Sequence, residues 1–189
     1  MKPFITPVLV VTALLAASPA AAQFVSEADQ AERAEAMAKL AFMHGEWVGP
    51  ASGVNADRST YEVTQTERIG PMLDGDILVI EGKGYEADGS VGFNAFAVIS
   101  YDTGEDAYEI RSYAMDMAGT FPLTLTDTGY VWEVPAGPGK VRYTATIHGD
   151  SFREVGEYVM PTGQAWPNFE MTLTRRGDTD WPSAGAVRP

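Results

Sequence analysis

The chain predicts an all-β protein, an antiparallel barrel of about ten strands with one N-terminal helix. Three observations carry that expectation. After Gly45, short β-branched and aromatic runs alternate with Gly, Pro, Asp and Asn turns at intervals of roughly 8 to 14 residues, the spacing of meandering strands. Before Gly45, the stretch from Ser26 to Phe42 is rich in Ala, Glu, Met and Leu, which favour helix. The strand run is also bracketed, by Gly45-Glu46-Trp47 at its start and Arg175-Arg176 at its end. First and last strands are neighbours in a closed barrel, so Trp47 can meet Arg175, ring against guanidinium. With Gly45, the two are expected to close one barrel end.

The N-terminus reads as an address and not as fold. Met1-Lys2-Pro3 precedes an apolar stretch from Phe4 to Leu15, and small residues lead to an A-x-A site at Ala22. Residues 1–22 are therefore expected to be a cleaved export signal. The apolar run, about a dozen residues long, falls short of the roughly 20 that a spanning helix needs, and Pro7 weakens it further. A soluble periplasmic or secreted chain follows, with no stable membrane insertion after cleavage. Residues 23–44 form the leader and an amphipathic helix. Ser26 and Asp29 have capping-box spacing, while Ala31, Ala34, Ala38 and Ala41 with Met37 and Leu40 make a weak apolar stripe. Such a helix covers a barrel end or an outer wall; a mobile leader is the alternative.

Ten strands are predicted in order: Trp47–Val54, Thr60–Ile69, Asp76–Glu86, Gly92–Tyr101, Ala107–Met117, Thr120–Thr126, Tyr130–Val134, Val141–His148, Phe152–Met160 and Asn168–Arg176. The joins carry turn chemistry, as in Ala87-Asp88-Gly89, Asp102-Thr103-Gly104 and Pro161-Thr162-Gly163. No linker interrupts them, so 45–176 reads as one barrel domain and 177–189 as a disordered tail. Alternation puts Val141, Tyr143, Ala145 and Ile147 on one face, and Phe169, Met171, Leu173 and Arg175 likewise. Gly92–Tyr101 and Ile77–Ile80 are apolar on both faces, which implies cover from the helix or from a second subunit, hence a possible homodimer.

Composition narrows the function classes. The 189 residues contain no Cys, which excludes disulfides, thiolate catalysis and Cys-ligated metal. Removing Lys2 with the signal changes the formal net charge from -13 to about -14, a field that repels nucleic acid and anionic membrane surfaces. No nucleic-acid partner is expected.

Two segments resemble a known family. Leu40-Ala41-Phe42-Met43-His44-Gly45-Glu46-Trp47-Val48-Gly49 is similar to an "L-x-F-L-x-G-x-W-x-G" opening, and Gly163 to Arg175, through Trp166-Pro167-Asn168-Phe169, is similar to a closing strand. Both belong to DUF1579, an exported bacterial domain of unknown function with a lipocalin-like barrel. The wider pattern resembles the calycin-like barrels: lipocalins, fatty-acid-binding proteins and the nitrobindin-like group. The resemblance implies an interior able to take a small apolar or amphipathic molecule, with no catalytic residues to carry over. Nitrobindin-like relatives bind haem through a His near the C-terminal end of the barrel. This chain has no His after His148, so haem and other cofactors are not expected.

The residues offer modest chemistry of their own. His44 at a helix end and His148 beside a turn read as structural or exposed, and without His-x-x-x-His spacing no metal site is expected. No nucleophile elbow, Walker loop or dinucleotide fingerprint follows a strand. Glu109, Asp116, Glu154 and Glu157 lie on predicted strands, where a buried carboxylate can do acid/base work. The aromatic supply, Tyr61, Phe96, Tyr113, Trp132, Tyr143, Tyr158 and Phe169 besides Trp47, exceeds what closure needs. Of these, Tyr113, Trp132, Tyr143 and Tyr158 are candidate cavity walls. Trp166 is a candidate lid, and Arg111 (or Arg142, which alternation places outward) could hold a ligand carboxylate. The expected function is binding of a small hydrophobic or amphipathic molecule. The alternatives are an enzyme using an inward carboxylate with Tyr, and a dimeric interaction protein.

Overall fold

The computed structural model describes residues 26–55, 57–179 and 181; the expected signal peptide and most of the expected tail lie outside them. One helix, α1 (Glu27–Ala38), leads into ten antiparallel strands: β1 (Gly45–Val54), β2 (Thr60–Met72), β3 (Ile77–Tyr85), β4 (Val91–Asp102), β5 (Ala107–Ala114), β6 (Met117–Thr126), β7 (Gly129–Ala136), β8 (Gly139–His148), β9 (Ser151–Val159) and β10 (Ala165–Gly177). Each strand pairs with the next, and β1 pairs with β10, so the sheet closes into a barrel with no free edge. Among the described residues no helix is long and apolar enough to cross a membrane.

Local chemistry accounts for the ends of these elements. Ser26 and Asp29 form the reciprocal capping box that starts α1. The helix is shorter than the Ser26–Phe42 stretch suggested; a short 3-10 turn at Ala41–Met43 carries the chain into β1 instead. The turn between β5 and β6 is Met115-Asp116, both with positive φ (48° and 65°). It contains neither Gly nor Pro, which is why the sequence pattern extends the fifth strand through it.

The barrel has a packed half and a hollow half. At the α1 end, Leu40, Met43, Trp47, Ile69, Leu78, Ile99, Phe152 and Leu173 are fully buried. Burying each such side chain stabilises the fold by roughly 1.5–3 kcal/mol. α1 covers this end: Ala36 and Met37 are buried, and Tyr108 donates its hydroxyl to the Ala36 carbonyl at 2.7 Å. Its cover does not reach the middle of β4, so the doubly apolar pattern there leaves Phe96 exposed.

Trp47 and Arg175 are opposed across β1 and β10. The ring-over-guanidinium stack expected of them is replaced by separate contacts. The Trp47 indole meets Phe152 edge-on at 5.7 Å and donates Nε1–H to the Met43 carbonyl at 3.0 Å. Arg175 donates to the His44 carbonyl at 3.3 Å and pairs with Asp178 at 2.5 Å. Gly45 sits between them at φ +141°, where a Cβ would come within 2.9 Å of Arg175 Nε and the Gly177 carbonyl, so glycine is required twice over. Beyond Gly177, inside the expected tail, the Trp181 ring lies 5.8 Å from the Arg68 guanidinium.

Candidate functional site

The hollow half holds a cavity of about 250 Å³. Inward positions explain the space: Gly82 on β3, Ala95 on β4, Ser112 and Ala114 on β5 bring little bulk to one wall. Aromatic side chains form the opposite wall. Trp132 stacks on Tyr143 at 4.7 Å, Tyr143 meets Phe169 at 6.3 Å, and Phe121 tilts against Trp132 at 5.8 Å. Gly156 lies beneath Tyr143 and Phe169, where a Cβ would meet both at 3.0–3.1 Å. Met115 and Met117, both exposed, border the cavity, so it reaches solvent beside the β5–β6 turn. Larger depressions of about 520 Å³ beside Pro50 and about 610 Å³ beside Tyr113 are open hollows on the outer wall, without enclosing side chains or displaced titratable groups.

Two carboxylates face this cavity. Glu154 on β9 is buried; its Oε1 accepts from Trp132 Nε1–H at 3.2 Å and its Oε2 from the Tyr130 hydroxyl at 3.4 Å. Glu67 on β2 accepts from Gln65 Nε2 at 2.7 Å, and both its oxygens lie within 2.9 Å of where a Gly82 Cβ would be. Glu67 is enclosed by the barrel yet keeps intermediate accessibility, because it fronts open cavity and not packed atoms. Loss of water raises its pKa to about 8, helped by the charges of Glu154 and Glu81 and opposed by the Gln65 hydrogen bond. Desolvation likewise lifts Glu154 to about 7, against the pull of Trp132 and Tyr130. The two titrate as a coupled pair, so near neutral pH the cavity holds protons that an exposed pair would have lost. Burial pushes Tyr130 well above its usual range and Tyr143 to about 12, so both remain neutral hydrogen-bonding groups.

The candidates named from sequence are dispersed. Trp132 and Tyr143 line the cavity. Tyr158 and Trp166 stack on each other at 6.3 Å nearer the open end, beyond the cavity lining, and Tyr158 donates to the Ala136 carbonyl at 3.3 Å. Arg111 and Tyr113 require correction: both are exposed on the outer wall, where Arg111 Nε–H meets the Tyr113 hydroxyl at 2.6 Å. Their strand turns Tyr108, Ile110, Ser112 and Ala114 inward and Glu109, Arg111 and Tyr113 outward. Arg142 points outward too, paired with Glu133 at 2.8 Å. Of the carboxylates, Glu154 enters the cavity, while Glu109 and Asp116 are exposed and Glu157 does not line it. His44 sits at the packed end, its pKa lowered by burial, and His148 is exposed beside the β8–β9 turn. Neither lines the cavity, so haem held through an imidazole does not fit. Among the described residues no three His, Cys, Asp or Glu gather as a metal site.

Glu67, Gln65 and Tyr130 were missed. The signal for the first two was present: Val63, Gln65, Glu67 and Ile69 alternate on one face of β2, and apolar residues bracket the polar pair.

Comparison of structures places the architecture among known barrels. Rv2717c from M. tuberculosis is similar with a TM-score of 0.57 and 12% identity, over 75% of this chain and 97% of that one. The S-type phycobiliprotein lyase CPES from Guillardia theta is similar with a TM-score of 0.51 and 12% identity, over 76% and 94%. These likenesses show the fold. By sequence the chain matches no family model and no curated protein.

Proposed function

We propose that this protein is an exported binding barrel that holds one small amphipathic molecule in the cavity between Glu67, Glu154 and the Trp132–Tyr143 stack. The cavity itself carries the reading: apolar walls with a few convergent polar groups of displaced pKa are how small-ligand sites are built. At about 250 Å³ it lies just below the roughly 300–1,000 Å³ of drug-sized sites, so the ligand is compact. A barrel of this architecture also serves a phycobiliprotein lyase, which supports an interior that handles a ligand but, at 12% identity, carries no substrate across. Export rests on the signal-like residues 1–22.

An enzymatic reading has one specific observation behind it, the near-neutral titration of Glu154 beside Tyr130. A carboxylate at about 7 can exchange a proton at working pH, although Tyr130, its pKa raised further, serves only as a donor. Native mass spectrometry of the protein isolated gently from its own host tests the binding reading. A small excess mass that vanishes on denaturation is expected, on a chain beginning at Gln23. A clean apo mass that stays clean after incubation with host metabolite extract would overturn it, and the same spectrum reports whether the chain is a dimer.

A further inference from the structure

The polar floor of the cavity is one-sided. Its two strongest groups, Glu67 and Glu154, present carboxylate oxygens, which when ionised only accept hydrogen bonds. Three protein donors nearby, Gln65 Nε2, Trp132 Nε1 and the Tyr130 hydroxyl, are already aimed at those oxygens, which leaves the neutral hydroxyls of Tyr143 and Ser112 on the walls. Among the described residues none lining the cavity is Arg, Lys or His. The arginines that could have met a ligand carboxylate, Arg111 and Arg142, stand on the outer wall. A fatty acid entering this space would place a third carboxyl group against two others with no cation to meet it. An ammonium would find two oxygen-bearing groups able to accept its three donors.

Resting on the reading of the cavity as a ligand site, we propose that it selects a compact apolar amine, with the ammonium group between Glu67 and Glu154 and an aromatic or alkyl body along Trp132 and Tyr143. Size sets the class further. A cavity of 150 Å³ lined by apolar groups holds benzene, so one of about 250 Å³ holds an aralkylamine of about ten heavy atoms. The aromatic wall suits a cation's near neighbour as well, since a ring face attracts positive charge. The charges balance: with one proton shared by the pair the cavity carries one negative charge, and as the ammonium enters that proton leaves to solvent, so one positive charge replaces another and the net charge is unchanged, two carboxylates then facing one ammonium. The other titratable groups in reach are Tyr130 and Tyr143, neutral throughout, and Glu81 on the outer face of β3, whose charge is compensated by Lys83 at 2.8 Å.

Three isosteric probes test this: 2-phenylethylamine, 2-phenylethanol and phenylacetate, titrated into the mature protein at pH 7.5 by Trp fluorescence and calorimetry. The amine should bind at least about tenfold tighter than either of the others, because buried acceptors left unpaired discriminate strongly. Its binding heat should differ between phosphate and Tris buffers by the proton released, and the preference should disappear in the Glu67→Gln/Glu154→Gln double variant. Tighter or equal binding of the alcohol or of phenylacetate would overturn the amine while leaving a binding barrel in place. Binding of none of the three would overturn the amine and count against the cavity as a ligand site. All three comparisons are made within the wild-type protein, so the inference stands or falls even if the double variant fails to fold.

Discussion

The two halves of this barrel share ten strands but solve opposite problems. At the α1 end the inward positions carry Trp47, Leu78, Ile99 and Leu173, all almost fully buried. Toward the other end the same strands turn Gly82, Ala95, Ser112, Ala114 and Gly156 inward, beside two carboxylates. The packed half stabilises the fold; the hollow half gives up that stabilisation for the cavity proposed to hold a ligand, and it carries the displaced protonation equilibrium. The separation along the barrel axis lets a site that is costly to fold be supported by a core that is not.

The largest test of this contrast is at the plug. Trp47→Ala removes an indole that is 1% exposed, stacked edge-on to Phe152 and bonded to the Met43 carbonyl. A loss of about 3–5 kcal/mol is expected in urea unfolding, the range for deleting a buried aromatic. A loss below about 1 kcal/mol would mean that the packed half does not carry the stability assigned to it.

Next comes pH, to which the enclosed carboxyls of the hollow half and the carboxylates of the surface respond with opposite sign. Glu67 and Glu154 have folded pKa values of about 8 and about 7, above the ordinary 4.5. Between those limits the folded chain binds more protons than the unfolded one, so their contribution is fully present below about pH 4.5 and is lost as pH rises through 7 to 8. Asp57, Asp88 and Glu133 are shifted down by their hydrogen bonds and act oppositely, losing stability as pH falls through their lowered values. Denaturant melts at pH 5, 7 and 9 should therefore show a decline of a few kcal/mol toward alkaline pH. In the Glu67→Gln/Glu154→Gln variant the decline should flatten. A wild-type profile that rises from pH 5 to 9 would sink the buried-pair account.

The same contrast explains what could be read from the residues. The packed half was legible because its inward positions are apolar, as in Ile147 on β8 and Leu173 on β10, so period-2 alternation identifies the interior directly. All ten strands and the neighbouring of Trp47 and Arg175 follow from that pattern with the turn residues. In the hollow half Trp132 and Tyr143 were legible as an aromatic wall, but the small and polar positions were not, for the converse reason. On β5 the inward Ser112 and Ala114 are smaller and less apolar than the outward Tyr113, so the outer face looked like the cavity wall. On β2 the inward Gln65 and Glu67 look like solvated surface until closure of the sheet encloses them. A cavity is a place where inward side chains are small or polar, which is the pattern that alternation assigns to solvent.

Gly82→Ala is a finer probe of the hollow half. The new Cβ would lie 2.8–2.9 Å from both Glu67 oxygens, the far end of a flexible side chain that can swing away. Stability should change by about 1 kcal/mol or less, since alanine also restricts the unfolded chain. Affinity for 2-phenylethylamine should fall several-fold because the carboxylate is moved from its place. Unaltered affinity with a displaced Glu67 would show that Glu154 alone receives the ammonium.

The smallest expected effect sharpens the boundary between inside and outside. Arg111 lies on the outer wall, bonded to the Tyr113 hydroxyl and to Thr120 Oγ1 at 3.2 Å, with its guanidinium 5.4 Å from the Tyr113 ring centre. Arg111→Ala should change stability by no more than about 0.5 kcal/mol, as exposed substitutions usually do. Binding of all three phenylethyl probes should be unchanged. The variant nevertheless has a discriminating outcome. The outer groove beside Tyr113, about 610 Å³, is bordered by Met115 and Met117, which also border the cavity. If Arg111→Ala weakened phenylacetate binding while leaving the amine alone, an anion would be meeting the protein on that groove and not between the two carboxylates. Arg111, which holds the Tyr113 hydroxyl beside that groove, would then be the origin of any acid binding that the intact protein shows.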